Sequence, residues 1–157
     1  MEGFVIRDMS PADLGEVHTI EETSFTTPWS RKSFKFEVDN DETILKVAVF
    51  NEHIIGYVCL RTILDITHVL NLVVTPEFRK QGTGSMLLRS AVNELKRKKP
   101  DVWSLTLEVR ESNRAAIRLY EKYGFLVTGR RTGYYQRPSE DAVIMELNLP
   151  RREKSND

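Results

Sequence analysis

A chain of 157 residues has room for one domain of ordinary size and not for two. Hydrophobic residues make up 40% and charged residues 29%, a globular balance, while 23 basic and 23 acidic side chains cancel to zero formal charge and leave no global field to hold a polyanion. The single cysteine, Cys59, excludes an intramolecular disulfide and, with only His18, His53 and His68 beside it, a cysteine-rich zinc site, so no metal is expected.

The longest uncharged apolar stretch, Ile54 to Leu60, falls far short of the ~20 residues of a membrane span. The opening MEGFVIRDMS lacks a basic segment followed by an apolar core, so no signal peptide is expected. The expectation is a reduced, cytoplasmic, single domain over residues 1–149. A polar tail at 150–157 is expected to fray.

Phe4, Val5 and Ile6 begin a short strand. Ser10-Pro11 reads as a helix cap and first helical position, and Leu14, Val17 and Ile20 form the stripe of a helix running to about Thr23. Thr26 to Ser30 is a break, after which Ser30 caps a second helix through about Val38 with Phe34 on its inner face. Ile44 to Phe50 and His53 to Arg61 read as a hairpin around Asn51-Glu52, with Gly56 marking a bulge. Thr67 to Thr75 is a third strand, rich in Val and Leu.

The period then changes. Leu87, Leu88, Ala91, Val92 and Leu95 form one face of a helix that Pro100 stops, and Lys96 to Lys99 sit at its end as a solvated cationic run. Val102 to Arg110 is a strand. Ser112-Asn113 caps a helix to Tyr123, with Gly124 as its C-terminal stop. Phe125 to Thr128 and Ala142 to Asn148 are the last two strands. The predicted order is βααβββαβαββ, a mixed α/β fold with a mostly antiparallel sheet.

Chemistry concentrates in two segments. In the first, a buried strand runs into Arg79-Lys80-Gln81-Gly82-Thr83-Gly84-Ser85 and a helix opens there. The glycines let the main chain approach a ligand, and the unpaired amides at a helix start favour anions. A Walker A loop would need Gly-Lys-Ser/Thr, and a dinucleotide fingerprint would need glycine where Leu87 stands, so both fail. In the second, Leu105-Thr106-Leu107-Glu108-Val109-Arg110 alternates with period two. Leu105, Leu107 and Val109 share one face and Thr106, Glu108 and Arg110 the other.

The spacing Arg-x-x-Gly-x-Gly resembles the acetyl-CoA pyrophosphate loop of the GNAT acetyltransferase superfamily, and the element order over residues 3–149 resembles its fold. The run from Leu105 to Phe125 is similar to the LEVR-x-SN-x-x-A-I-x-LYE-x-x-GF signature of N-terminal protein acetyltransferases, shared by the bacterial RimI and archaeal Ard types. Gly133-Tyr134-Tyr135 with Glu140-Asp141-Ala142 resembles the same group.

The resemblance implies acetyl-CoA as donor and protein N-termini, ribosomal proteins among them, as acceptors. It implies Glu108 as general base, Tyr120 as general acid that also contacts the acetyl-CoA, and Asn113 as a donor-binding amide. It also implies that main chain of Leu72, Val73 and Val74 holds the pantetheine arm and the developing oxyanion. An α-amino group has a pKa of ~8 and needs a base, and a phenol is a proton source for a departing thiolate.

Phe25, Pro28 and Trp29 in the first inter-helix break, and Tyr134 and Tyr135 in the loop between the last two strands, are expected to flank the acceptor. Each residue also has a purely structural reading. Glu108 could pair with Arg110 or another cation, Tyr120 could be a core aromatic, Asn113 a helix cap, Trp29 a hinge packer and Cys59 plain core. His68 resembles a histidine that orders water in archaeal relatives, and a satisfied structural role is the alternative. Some archaeal members carry a glutamate in the first loop that assists the base. Phe25 stands there in this chain, with Glu21 and Glu22 a turn earlier. Acetylation of lysine side chains or small amines, or a non-catalytic acyl-CoA-binding subunit, are the rival functions.

Overall fold

The computed structural model describes residues 3–150. The tail from Arg151 onward, where fraying is expected, lies outside the described residues. Seven strands and four α-helices alternate in the predicted order: β1 (Phe4–Asp8), α1 (Leu14–Ser24), α2 (Arg31–Val38), β2 (Thr43–Phe50), β3 (His53–Ile63), β4 (Ile66–Val74), α3 (Thr83–Lys98), β5 (Ser104–Arg110), α4 (Arg114–Tyr123), β6 (Leu126–Tyr135) and β7 (Glu140–Asn148). The strands are hydrogen-bonded in the order β1-β2-β3-β4-β5-β7-β6. The β1/β2, β2/β3, β5/β7 and β6/β7 pairs are antiparallel and the β4/β5 pair is parallel.

The chain divides into two compact units, one holding the chain up to Arg61 with Leu70–Val92, the other Thr62–Val69 with the chain from Asn93. In the first, Met9, Leu14, Val17, Ile20, Phe34, Val47, Tyr57 and Val73 belong to one buried cluster. Its helix α2 starts where the sequence puts a hydroxyl. Ser30 Oγ accepts the Ser33 amide at 3.1 Å. Ser10 and Asp13 form a reciprocal capping box around a 3-10 turn at Pro11–Asp13, so the regular helix opens only at Leu14. In the hairpin, Asn51 and Glu52 both take positive φ, 47° and 66°. That backbone matches the twist of the strands they join.

The bulge lies one residue before Gly56. Ala48 pairs with Gly56 and Val49 with Ile54, which leaves Ile55 without an opposite residue. Gly56 has a different reason to be glycine, because a Cβ there would sit 2.7 Å from the Val73 carbonyl oxygen.

In the second unit, β5 buries Leu105, Leu107 and Val109 as alternation requires. Gly124 ends α4 in the left-handed conformation, φ 114°, with its amide bonded back to Tyr120 and Glu121 carbonyls. One expectation needs correction. The strand predicted at Phe125–Thr128 runs from Leu126 to Tyr135. It is the last strand in the sheet order and nearly all of it is exposed, so GRRTG carries no apolar alternation by which to see it.

Candidate active site

The first unit holds the strand-to-helix turn. After Val74 the chain makes a 3-10 turn at Pro76–Phe78, and the Arg79 Nε–H donates back to the Val74 carbonyl at 2.9 Å. Gln81 Nε2 donates to the Glu77 carbonyl at 3.3 Å. Lys80 and Gly82 then take positive φ, 62° and 86°. The Gly82 carbonyl accepts the Met86 amide. The amides of Thr83, Gly84 and Ser85 thus form the first turn of α3, where no helical acceptor exists for them. The Thr83 hydroxyl is buried and has no hydrogen-bond partner among the described residues. Open space lies where a Gly82 Cβ would stand. A cradle of amide donors without acceptors, beside an orphaned hydroxyl, fits a pyrophosphate. Parallel pairing of β4 with β5 covers Ile66–His68 only, so Leu72, Val73 and Val74 lie past its end.

The second unit holds the carboxylate. Glu108 is on the half-exposed face of β5, opposite Ile144 of β7. Its Oε1 lies 3.3 Å from Arg131 Nε, and its side chain is 30% exposed. A hydrogen bond from the Tyr134 hydroxyl to this carboxylate, with partial burial behind it, pushes the Tyr134 phenol up. Burial first and the Glu108 charge second push Tyr135 up to about 12. Tyr134 and Tyr135 pack edge to face, 5.0 Å between centroids. The expected cation partner is therefore Arg131. Arg110 turns instead to Glu140 at 3.2 Å and to the Gln136 and Pro138 carbonyls, with its guanidinium 4.5 Å over the Tyr135 ring. The placement of the tyrosine pair is a correction, since both are the last residues of β6 rather than loop residues.

Tyr120 lies on α4 with 6% of its surface exposed and packs edge to face on Phe125 at 5.4 Å. Burial holds its phenol well above the ordinary phenol range. Its hydroxyl makes no hydrogen bond among the described residues. It is thus a core aromatic by packing and a protonated phenol by electrostatics. Asn113 is the α4 cap, its Oδ1 accepting the Ala116 amide at 3.2 Å. That bond uses the oxygen and leaves the Nδ2 donors.

The acceptor-loop candidates are in the first unit. Phe25 is 38% exposed and Pro28 is exposed. Trp29 packs its ring 5.2 Å from Phe34, as hinge packing requires, and also lines an open cavity of about 380 Å³ with Lys32, Ser33, Phe36, Glu37, Arg61 and Leu70.

Two neighbours of the candidate residues were given no role by the sequence reading. Arg131 lies in the segment taken for loop, and its partner is two strands away in sheet order. Glu21, on α1, is buried and receives three hydrogen bonds. A glutamate on the same stripe as Val17 and Ile20 was the available signal.

His68 is half-buried on β4, paired with Thr106. Cys59 is buried and burial pushes its thiol far up, which suits core packing and not nucleophilic work. Lys98 pairs with Glu94 at 3.4 Å on the exposed end of α3. Among the described residues no cluster of three or more His, Cys, Asp or Glu could hold a metal, and no helix is long and apolar enough to cross a membrane.

Residues 14–125 match the acetyltransferase (GNAT) family, and the chain belongs to that family. A Haemophilus influenzae relative, [ribosomal protein bS18]-alanine N-acetyltransferase, is 35% identical over 92% of this chain and 99% of its own. The crystal structure of the ribosomal-protein-S18-alanine N-acetyltransferase from Escherichia coli superposes with a TM-score of 0.85 at 32% identity, covering 98% of this chain and 97% of that one. Ard1 from Thermoplasma volcanium superposes at 0.83 with 27% identity, over 94% and 99%.

Proposed function

We propose that this chain, acting as one domain over residues 1–149 in the cytoplasm, transfers the acetyl group of acetyl-CoA to the free α-amino group of a protein N-terminus. The N-terminal alanine of a ribosomal protein is the leading acceptor. Likeness to the bS18-alanine enzymes over nearly the whole of both chains supports the acceptor class. The observation that carries the chemistry is Glu108: a half-exposed carboxylate on the strand leading to α4, with the Tyr134 hydroxyl against it.

Acetyl-CoA supplies an acetyl group already activated as a thioester. The first-turn amides of Thr83, Gly84 and Ser85, the Thr83 hydroxyl and the Arg79 and Lys80 charges would hold its pyrophosphate, and Asn113 Nδ2 would add a donor. Main-chain groups of Leu72, Val73 and Val74 would hold the pantetheine arm and polarise the acyl carbonyl. Glu108 accepts a proton from the incoming ammonium, directly or through water, which frees the nitrogen lone pair for attack. Tyr120, kept protonated by burial, donates its hydrogen toward the departing sulfur. Phe25, Pro28 and Trp29, with Tyr134 and Tyr135, would line the acceptor path, their aromatic faces flanking a peptide main chain.

Initial rates of the isolated chain with acetyl-CoA test this on three acceptors: a peptide with a free N-terminal alanine, an N-blocked peptide containing lysine, and a polyamine. Preference for the first by at least about tenfold, ~1.4 kcal/mol of transition-state discrimination, is expected. Equal or faster transfer to either of the others overturns the acceptor, and no transfer at all points to a non-catalytic subunit.

A further inference from the structure

Glu21 stands in the last part of α1 with 1% of its surface exposed, and its carboxylate joins three other segments of the first unit. Oε2 accepts the Trp29 amide at 2.9 Å. Oε1 accepts the Tyr57 hydroxyl of β3 at 2.6 Å and Asn71 Nδ2 of β4 at 3.1 Å. Burial raises the carboxyl's pKa, while the Tyr57 and Trp29 bonds work against that rise.

A buried acid is a costly way to gain stability, because well-packed apolar residues of the same volume are often as good or better. What the carboxylate does that an apolar side chain cannot is hold main chain. Between Thr26 and Ser30 there is no regular structure, and among the described residues the Trp29 amide is the only one of that stretch with a hydrogen-bond partner. The same carboxylate is anchored to β4 at Asn71, the residue before Leu72.

We propose that Glu21 is a positioning residue for the acceptor: it holds the Phe25–Trp29 loop at a set place relative to the Asn71–Leu72 segment, so that this wall of the acceptor path is ordered before a peptide arrives. The inference rests on the reading that this loop receives an N-terminal peptide. Ordering a loop in advance removes that entropy cost from binding, so the effect belongs in acceptor affinity.

Glu21→Gln isolates the link. The Gln oxygen can stand in for Oε1 and keep the Tyr57 and Asn71 bonds. Its amide nitrogen in the Oε2 place is a donor facing the Trp29 donor, so only the loop is released. Steady-state kinetics of the full chain should show KM for the N-terminal peptide rising about tenfold while KM for acetyl-CoA stays within about twofold.

A second measurement uses the unaltered chain. Trp29's amide should exchange its hydrogen about a hundredfold more slowly than those of Thr26 and Thr27. If both KM values rise together, or neither moves in a folded variant, the proposal falls. Equal exchange at Thr26, Thr27 and Trp29 also overturns it, even where the variant does not fold. An unaltered chain that acetylates no N-terminal peptide overturns the functional reading instead, and slow Trp29 exchange would then still support the tether.

Discussion

The Arg131 guanidinium sits 3.3 Å from the Glu108 carboxylate, reaching from β6 to β5 with β7 between them in the sheet. The side chains are 56% and 30% exposed. A pair this accessible is worth ~0–1 kcal/mol, so stability does not account for it. On the proposed reading of Glu108 as the base, an arriving α-ammonium carries the same charge as Arg131 and seeks the same carboxylate.

Replacing the guanidinium therefore removes a competitor. Arg131→Ala should change the unfolding free energy by less than about 1 kcal/mol and lower KM for an N-terminal peptide by a few fold. Urea denaturation and acceptor titrations check the two halves. A raised KM would mean that Arg131 helps hold the acceptor rather than competing with it.

Glu108→Gln and Tyr120→Phe should each reduce kcat by about a hundredfold or more, the usual size of a general acid–base contribution. Acetyl-CoA affinity by calorimetry should stay near that of the unaltered chain, since neither side chain is assigned to the pyrophosphate or the pantetheine arm. Unreduced turnover in both variants would remove these residues from the chemistry.

Two glycines should respond differently to alanine. At Gly56 the new Cβ meets the Val73 carbonyl oxygen at 2.7 Å and Leu87 Cδ1 at 3.2 Å, and main chain cannot yield as a side-chain tip can. Gly56→Ala should cost ~1–3 kcal/mol and weaken acetyl-CoA binding through the displaced Val73 main chain. At Gly82 nothing lies within 4 Å and only the positive φ of 86° is strained. Gly82→Ala should cost ~1–2 kcal/mol in the loop alone. Denaturant midpoints with calorimetry separate the two.

Asp13 gives the fold an acid dependence. Its hydrogen bonds from Arg7, at 2.7 and 2.9 Å, come first in lowering its pKa, and the Ser10 amide adds to them, while burial opposes. A carboxylate depressed on folding contributes stability that is present above its unfolded pKa of ~3.9 and lost as pH falls through the lower folded value. Asp13→Asn should therefore be less stable than the unaltered chain at pH 7, by about 1 kcal/mol for the damaged cap. The gap should begin to narrow below about pH 4 and go on narrowing as pH falls further. Thermal midpoints from pH 7 down to pH 3 read it directly, and a gap constant across that range would show that the Arg7 pair contributes nothing.

Much of this was legible in the chain because its cause is local. Ser30 caps α2 whatever lies above it, and Gly124 takes positive φ because Tyr123 ends a helix. Leu105, Leu107 and Val109 face inward by the geometry of one strand. The extent of β6 was not legible, since an exposed edge strand is held by pairing to β7 rather than by burial of its own side chains. That miss put Tyr134 and Tyr135 in a loop and left Arg131 without a role.

By itself, then, the sequence settled the order of elements, the glycine loop at the head of α3, and which strand carries the carboxylate, all of them short-range consequences of periodicity, capping and backbone freedom. Only the tertiary structure decided who stands beside whom. Arg131, not Arg110, meets Glu108; Glu21 receives Trp29, Tyr57 and Asn71; and Gly56 lies under the Val73 carbonyl. Such pairings depend on which strands become neighbours and in what register, and a one-residue shift would exchange every partner without altering any local pattern.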